Sequence, residues 1–289
     1  MYYKNCTSLP IGVFDSGVGG LTVLAALRRK LPDESYIYLG DTARVPYGSK
    51  SATTVEGFAL QIGAWLALQP VKAIVVACNT ASAFALPKLR EALPVPIFGV
   101  VQPGAAAAVS LAKTRIGVLA TRGTIISKAY ETAIQRIQPS MDVVSQAAPL
   151  LVPLVEEGEL TSPIVRLAIE NYLTMIRTKH CDTLLLGCTH YPLLKPILAE
   201  MLPDITIIDS AEATAAVVAT ELAVRQLRVD ALCQDNEPQF TIAFTDTGGN
   251  TVEIAERFLG EPLPHIVTVT IEMLEAAAKQ IFFTVRLVQ

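Results

Sequence analysis

Short apolar runs that lead through small or polar residues into amphipathic helices recur along almost the whole chain. The first run, Ile11 to Phe14, ends at Asp15-Ser16 and is followed by glycines and a helical pattern from Leu21 to Leu31. Buried strands that alternate with helices are typical of α/β proteins with parallel sheets. The alternation therefore predicts a doubly wound α/β fold, with polar side chains where the strands end.

The second part of the chain repeats the order of the first. The run Arg115 to Leu119 resembles Ile11 to Phe14, and Cys188 follows an apolar run as Cys78 does. Repeated units of this size indicate two similar domains. We therefore expect two parallel-sheet domains related by pseudo-symmetry, with a site in the cleft between them.

The last third of the chain adds strand and helix patterns that the second repeat does not require. Strands are expected at Ile97 to Val101, at Ile205 to Ile208 and, after a polar break at 230–238, at Phe240 to Phe244. Because this last strand has no counterpart in the second repeat, it is expected to return to the first domain. The predicted first domain thus comprises 1–101 and 210–289, and the second comprises 102–209. Apolar residues spaced along the tail from 270 to 289 predict a helix that packs on its own domain.

Composition excludes several classes of protein. Of the 289 residues 51% are apolar and 17% are charged, and the net charge is −4. The scattered lysines and arginines form no basic face for nucleic acid, and no apolar stretch approaches the length of a membrane span. The first ten residues lack the apolar core of a secretory signal, so a cytoplasmic protein is expected. Five cysteines without a CxxC pair argue against a disulfide framework or a zinc ribbon.

Two of these cysteines are candidates for chemistry. Cys78 is followed by Asn79-Thr80, and Cys188 is followed by Thr189-His190. A single cysteine after a strand is most often a small core residue. Two in matching positions, each beside hydroxyl or amide groups that a core would exclude, favour a functional pair. For the other cysteines the core interpretation stands.

A pair of thiols in a cleft suits the inversion of a tetrahedral carbon. Inversion needs a base on one face and an acid on the other, because one fixed base returns the proton to its original side. A thiol has a pKa of about 8.5, and a modest shift by a cation or amide dipoles gives useful thiolate at neutral pH. His190 is close enough in sequence to supply such a charge to Cys188.

Asp15 is the polar residue expected near Cys78 in space. A carboxylate raises the pKa of a neighbouring thiol, so Asp15 is interpreted as orienting that thiol or as holding the ammonium group of a substrate. One alternative is that Asp15 is a helix N-cap. Another is that the glycine-rich turn after Asp15 binds phosphate, although it lacks the lysine of a P-loop.

The chain resembles the glutamate racemases of the aspartate/glutamate racemase superfamily through several motifs in one order. These are IGVFDSGVGGLTV at 11–23, YLGDTARVPYG at 38–48, VVACNTAS at 75–82, PLVEEG at 153–158, LLLGCTHYPLL at 184–194 and DSA at 209–211. Together the motifs extend over most of the chain. Such a series is far more specific than one glycine-rich loop.

The resemblance implies roles for particular residues. Cys78 would act on the D-glutamate face and Cys188 on the L-glutamate face, with Glu156 preferred to Glu157 as the site carboxylate. Arg44 is a weaker candidate and, like Tyr47, could be a surface residue. The implied catalytic residues are Cys78, Cys188, Asp15, Glu156 and His190, and the implied substrate contacts are Asp15, Ser16, Tyr47, Gly48, Asn79, Thr80, Thr121, Thr189 and His190.

The resemblance further implies an enzyme without cofactor or metal that makes D-glutamate for peptidoglycan and forms a homodimer. Glutamate would be its substrate, with no nucleic-acid or membrane partner. Two alternatives stay open at this point. A related aspartate or hydantoin racemase would keep both cysteines in a different pocket, and an inhibitory binding protein would tolerate the loss of both.

Overall fold

Parallel strands and helices alternate in the computed structural model, which describes residues 6–229, 238–264 and 266–286. The strands, in chain order, are β1 (Ile11–Asp15), β2 (Tyr36–Gly40), β3 (Ala73–Val76), β4 (Ile97–Gly99), β5 (Arg115–Ala120), β6 (Asp142–Ala147), β7 (Thr183–Gly187), β8 (Thr206–Asp209), β9 (Phe240–Phe244) and β10 (Ile266–Thr268). The α-helices are α1 (Leu21–Lys30), α2 (Ala52–Leu68), α3 (Asn79–Ala92), α4 (Val101–Leu111), α5 (Arg122–Ile126), α6 (Ala129–Ile137), α7 (Leu151–Glu156), α8 (Pro163–Thr178), α9 (Lys195–Met201), α10 (Ser210–Val224), α11 (Thr251–Leu259) and α12 (Ile271–Arg286).

The described strands form two sheets with the same internal order. One sheet has the order β10-β9-β2-β1-β3-β4 and the other has the order β6-β5-β7-β8. Every pair of neighbouring strands is parallel. The run β2-β1-β3-β4 therefore matches β6-β5-β7-β8, which accounts for the repeat in the sequence and confirms the α/β fold with parallel sheets.

Each sheet changes winding direction at one place. In the first sheet this place lies between β1 and β3, and in the second it lies between β5 and β7. Ligands of open α/β sheets bind where the strand order reverses, outside the carboxyl ends of the strands. Asp15 ends β1, and Cys78 and Cys188 follow β3 and β7 closely. Both cysteines thus lie at equivalent positions of the two sheets.

Helices cover the first sheet on both faces. Val13 lies in one apolar cluster with residues of α1, whereas Phe14, the next residue of β1, lies in a second cluster with residues of α2 and α3. Successive side chains of a strand point to opposite faces, so a strand that is buried on both reads as a continuous apolar run. This explains why the strand runs were visible in the sequence.

The end of the run at Ile97 to Val101 was predicted wrongly. The strand stops at Gly99, and Val101 begins helix α4, which carries the chain toward the second sheet. Four consecutive alanines, residues 105–108, follow Gly104 in this helix. Alanine is the strongest helix former, and a short apolar run cannot by itself distinguish a strand from a buried helical turn.

The last third of the described chain packs against the first sheet. β9 pairs with β2, and β10 pairs with β9. α12 packs against α2 and buries Leu274, which confirms the predicted tail helix. The domain boundaries at 101 and 209 stay a prediction. The polar break lies outside the described residues except for its last residue, Pro238, and so do Cys233, the first five residues and the last three.

Gly40 is expected to tolerate no side chain. A Cβ built there would lie 2.3 Å from the Gly17 carbonyl oxygen and 2.8 Å from the Phe244 ring. Because backbone and a buried ring cannot easily move aside, Gly40→Ala should lower the free energy of unfolding by about 1–3 kcal/mol.

Gly57, in helix α2, is the matched control. A Cβ there would meet nothing within 4 Å. Gly57→Ala should therefore raise the free energy of unfolding by about 0.5–1 kcal/mol, since glycine is a poor helix former. Urea unfolding of both variants measures these changes, and equal stability of Gly40→Ala and the wild type would contradict the predicted clash.

Candidate active site

Asp15 is the buried carboxylate that the first sheet contributes to the site. It is completely buried at the end of β1, and its Oδ2 accepts a hydrogen bond from the Gly17 amide at 3.0 Å. Burial raises the pKa of Asp15, and the nearby His190 partly offsets this. The N-cap interpretation of Asp15 is wrong, because Gly20 occupies the N-cap position of α1.

Cys78 is the N-cap residue of α3. Its Sγ accepts a hydrogen bond from the Ala81 amide at 3.4 Å, and the thiol lies 3.7 Å from the Ser16 Oγ. Burial, and then the Asp15 carboxylate, raise the pKa of Cys78 to about 12. The Asp15 carboxylate thus raises the pKa of Cys78, as expected for a thiol beside a carboxylate, and Cys78 is a protonated thiol at neutral pH.

Cys188 lies beside a histidine that is held by a carboxylate. The Cys188 Sγ is 4.0 Å from His190 Nδ1, and His190 Nε2 is 2.9 Å from Glu156 Oε1. Glu157 is exposed, so Glu156 is the acidic residue of this pair that reaches His190. Burial lowers the pKa of His190, but hydrogen bonds to Cys188 and Glu156 outweigh it and bring the value to about 10. His190 is therefore an imidazolium at neutral pH.

Thr189 and His190 bring the second sheet against the turn that follows β1. The Thr189 hydroxyl lies 3.5 Å from Asp15 Oδ1, and the Thr22 hydroxyl donates to the Thr189 carbonyl at 3.1 Å. A Cβ on Gly19 would lie 2.4 Å from both His190 Nδ1 and Thr189 Oγ1. The glycine-rich turn thus allows backbone from one sheet to approach side chains from the other, which is a structural reason for glycine in a motif without phosphate-binding lysine.

Three threonine hydroxyls meet on the other side of the cleft. Thr80 Oγ1 lies 2.9 Å from Thr121 Oγ1 and 3.1 Å from Thr124 Oγ1. Thr121 also caps α5 by accepting from the Thr124 amide. Gly48 belongs to this group, because a Cβ at that position would lie 2.6 Å from the Thr121 Cβ. The candidate substrate contacts from the two sheets therefore converge here.

The loop before Gly48 is tied to the first sheet by a buried aspartate. Asp41 is completely buried, and it accepts hydrogen bonds from Arg44 Nε at 2.7 Å, from Thr245 Oγ1 at 3.0 Å and from the Tyr47 hydroxyl. Tyr47 is itself buried. The surface interpretation of Tyr47 is thus wrong, and its hydroxyl is directed to Asp41. Arg44, mostly buried as well, lies over the Phe58 ring at 4.1 Å.

The two candidate thiols lie close enough to affect each other. Cys188 contributes to the raised pKa of Cys78, after burial and Asp15. One thiol comes from each sheet, and each is only 5% exposed. In the described part of the chain no three His, Cys, Asp or Glu side chains converge as metal ligands would.

Three residues near this group carried no signal in the motifs. Tyr130 donates a hydrogen bond to Asn79 Oδ1, the Phe258 ring lies 4.9 Å from the His190 ring, and Arg257 Nη1 donates to the Glu156 carbonyl at 3.2 Å. All three contacts join residues that are far apart in sequence. Thr124 was also missed, although the spacing of Thr121 and Thr124 is that of a capping hydroxyl and a helix position three residues later.

His190 is expected to stabilise the fold at neutral pH and to lose this contribution at high pH. Its pKa in the fold, about 10, lies above the ordinary value of 6.5. The stabilisation is therefore complete below pH 6.5 and disappears as the pH rises through 10. Relative to His190→Gln, the free energy of unfolding of the wild type should fall by on the order of 5 kcal/mol over this range.

Urea unfolding at a series of pH values measures this effect. Glu156→Gln serves as a control, because it removes the charge that faces Nε2 and should weaken the pH dependence. Parallel stability profiles of wild type and His190→Gln between pH 6.5 and 10 would contradict the assigned charge of His190.

Similarity to known proteins agrees with this geometry. The Asp/Glu/hydantoin racemase family matches residues 21–218. The glutamate racemase of Geobacter metallireducens is 46% identical over 264 residues, which cover 91% of this chain and 97% of that protein. The glutamate racemase of Syntrophus aciditrophicus is 47% identical over 266 residues, with the same coverage of both chains. The crystal structure of Francisella tularensis glutamate racemase in complex with D-glutamate superposes with a TM-score of 0.87 at 36% identity, covering 93% of this chain and 99% of that one. The sequence profile, these relatives and the shared architecture establish that the chain is an enzyme that belongs to the Asp/Glu/hydantoin racemase family.

Proposed function

We propose that the chain interconverts L-glutamate and D-glutamate by a two-base mechanism in which Cys188 and Cys78 act on opposite faces of the α-carbon. The observation that carries this proposal is the equivalent placement of the two thiols, at matching strand ends of two matching sheets. A racemase needs a proton acceptor on one face and a donor on the other.

The electrostatic environments of the two thiols support different starting roles. A positive charge stabilises a neighbouring thiolate, and the His190 imidazolium lies 4.0 Å from the Cys188 Sγ. Cys78, whose pKa is about 12, retains its proton. In the direction from L-glutamate to D-glutamate, the Cys188 thiolate takes the α-proton and the Cys78 thiol gives its own proton to the opposite face. After the reaction Cys188 is a thiol and Cys78 is a thiolate.

Three supporting residues maintain this arrangement. Glu156 holds the charge and the orientation of His190 through its contact with Nε2. Asp15 lies beside Thr189 and close enough to Cys78 to raise its pKa, and its carboxylate can hold the ammonium group of the substrate. This charge pairing would also offset the burial of the carboxylate.

The polar groups that line the cleft suit a substrate with two carboxylates. Asn79 Nδ2 is buried without a hydrogen-bond partner in the described residues. The hydroxyls of Ser16, Thr80, Thr121 and Thr189 lie in the same region, and Tyr47 and Gly48 close its edge. Hydroxyl and amide donors satisfy carboxylate oxygens well. The relatives are glutamate racemases, which supports glutamate as the substrate.

We further propose that the reaction supplies D-glutamate for peptidoglycan, in the cytoplasm and in a homodimer. The described helices include none that is long and apolar enough to cross a membrane. The domain division proposed above, 1–101 with 210–289 and 102–209, assigns one catalytic thiol to each domain. Closure of the two domains over the substrate would then complete the site.

The direct test follows the optical rotation of L-glutamate with purified protein and no added cofactor. Racemisation predicts a decline of rotation to zero, whereas unchanged rotation would refute the proposed function.

No lysine follows Cys78 or Cys188 closely at the strand ends to form a Schiff base, so adding pyridoxal phosphate should not change the rate. Aspartate and alanine, tested in parallel, should turn over far more slowly, because a site built for a second carboxylate at a fixed distance rejects shorter substrates.

A further inference from the structure

Tyr130 lies between Asn79 in the cleft and α4, the helix through which the chain passes from the first sheet to the second. It lies in α6, is 2% exposed, and donates a hydrogen bond from its hydroxyl to Asn79 Oδ1 at 2.5 Å. A Cβ on Gly104 of α4 would lie 3.3 Å from the Tyr130 ring, and one on Gly187 at the end of β7 would lie 2.9 Å from it. The ring is thus held by close backbone contacts on two sides.

The direction of the hydrogen bond fixes which atom of the Asn79 amide faces Tyr130. The Tyr130 hydroxyl is the donor to Asn79 Oδ1. A phenol has one hydrogen to donate, and an amide can accept it only at its oxygen. The amide oxygen of Asn79 therefore faces Tyr130, and the amide nitrogen faces away.

In this orientation the amide nitrogen of Asn79 has no hydrogen-bond partner within the described residues. Asn79 is 2% exposed, and its Nδ2 forms no hydrogen bond within the described residues. Asn79 directly follows Cys78 in the first turn of α3. A buried donor without an acceptor is unfavourable, and an entering carboxylate oxygen would satisfy it.

We propose that Tyr130 is a positioning residue that fixes the Asn79 amide with its nitrogen directed at a carboxylate of the bound substrate. The inference rests on the proposed racemisation of glutamate and adds to it a residue that never touches the substrate.

The kinetic consequence follows from what the amide would contact. Both carboxylates of glutamate are charged in the bound substrate, and the α-carboxylate gains further negative charge as the α-proton leaves, so the contact is at least as strong during the reaction as before it. Loss of the contact raises KM, and it lowers kcat as well where the contact strengthens in the transition state. Because both enantiomers carry the same carboxylates, KM should rise in both directions.

The experiment is a double-mutant cycle on Tyr130 and Asn79, measured as KM and kcat with L-glutamate and with D-glutamate. Tyr130→Phe should raise both KM values by about tenfold, the size expected for the loss of one oriented hydrogen bond. In the Asn79→Ala background Tyr130→Phe should cause no further rise, because no amide is left to orient. Tyr36→Phe is the matched control, since its buried hydroxyl donates to the Leu31 carbonyl away from the cleft.

Asn79→Asp provides a second route to the same test, also if Tyr130→Phe folds poorly. It keeps an acceptor for the Tyr130 hydroxyl and replaces the amide nitrogen by an oxygen that repels a carboxylate, so it should raise both KM values by at least tenfold. Additive effects in the cycle, unchanged KM values for Asn79→Asp, or a loss of kcat without a change in KM, would overturn the positioning role while the racemase assignment stands. Absence of racemisation by the wild type would instead refute the proposed function itself.

Discussion

Cys78→Ala and Cys188→Ala are each expected to reduce kcat for racemisation by about 1000-fold in both directions. A positioned acid or base contributes about 100- to 10,000-fold to a proton transfer, and every turnover uses both thiols. Removing either one therefore stops one half of the exchange, whichever enantiomer is supplied. Circular dichroism of the glutamate solution follows both directions.

The serine variants separate chemistry from structure at the same positions. Cys78 caps α3 by accepting a hydrogen bond from the Ala81 amide, and a serine hydroxyl can accept it as well. Cys78→Ser should thus keep the helix cap and still lose the activity, since an alcohol is a far weaker acid than a thiol. Cys181→Ala should keep the wild-type kcat, because Cys181 is buried just before β7, at the opposite end of that strand from Cys188. Either alanine variant with more than a tenth of the wild-type activity would contradict the two-thiol assignment.

Helix starts and buried strands, which depend on a short local sequence pattern, were predictable from the sequence. Ser162 caps α8 and Pro163 begins it, and a serine followed by a proline is typical of a helix start. The strands buried on both faces were visible as apolar runs. By contrast, β6 was missed, because this edge strand has the sequence DVVSQA and none of its residues is fully buried. An edge strand with one partner needs no continuous apolar run, so its sequence resembles that of a loop.

The two cysteines of the site were predictable from the sequence, whereas the residues packed around them were not. Cys78 and Cys188 are conspicuous because polar residues follow each of them directly after a buried strand. Tyr130 and Phe258 occupy apolar positions of amphipathic helices, and their contacts to Asn79 and His190 exist only once the sheets have come together. No local pattern marks such long-range partners, which explains why the motifs did not reveal them.

The protonation states of Cys78 and His190 could not be predicted from the sequence either. A neighbouring carboxylate was expected to raise the pKa of Cys78, but burial is the larger cause, and burial depends on how the two halves close over the cleft. The same holds for His190, whose imidazolium survives complete burial only because Glu156 and Cys188 bond to its two nitrogens. These partners are supplied by α7 and by the residue that follows β7.

Racemisation in heavy water is expected to label the product and not the recovered substrate. When Cys188 takes the α-proton from L-glutamate, Cys78 delivers a different hydrogen, one that exchanged with solvent before turnover. D-glutamate formed at low conversion should therefore carry deuterium at the α-carbon in nearly every molecule. Recovered L-glutamate should still carry protium, because a thiol that removed the proton returns the same one if the intermediate collapses backward.

The reverse reaction provides the internal control for this prediction. Starting from D-glutamate, the roles of the thiols exchange, so L-glutamate should be labelled and recovered D-glutamate should not. Mass spectrometry after separation of the enantiomers measures all four values. A single base that reaches both faces would carry the original hydrogen into the product, so substantial protium in the product would exclude transfer between two fixed thiols. Equal labelling of substrate and product at low conversion would also contradict it, because that result requires each thiol to exchange with solvent within one turnover, although both are only 5% exposed.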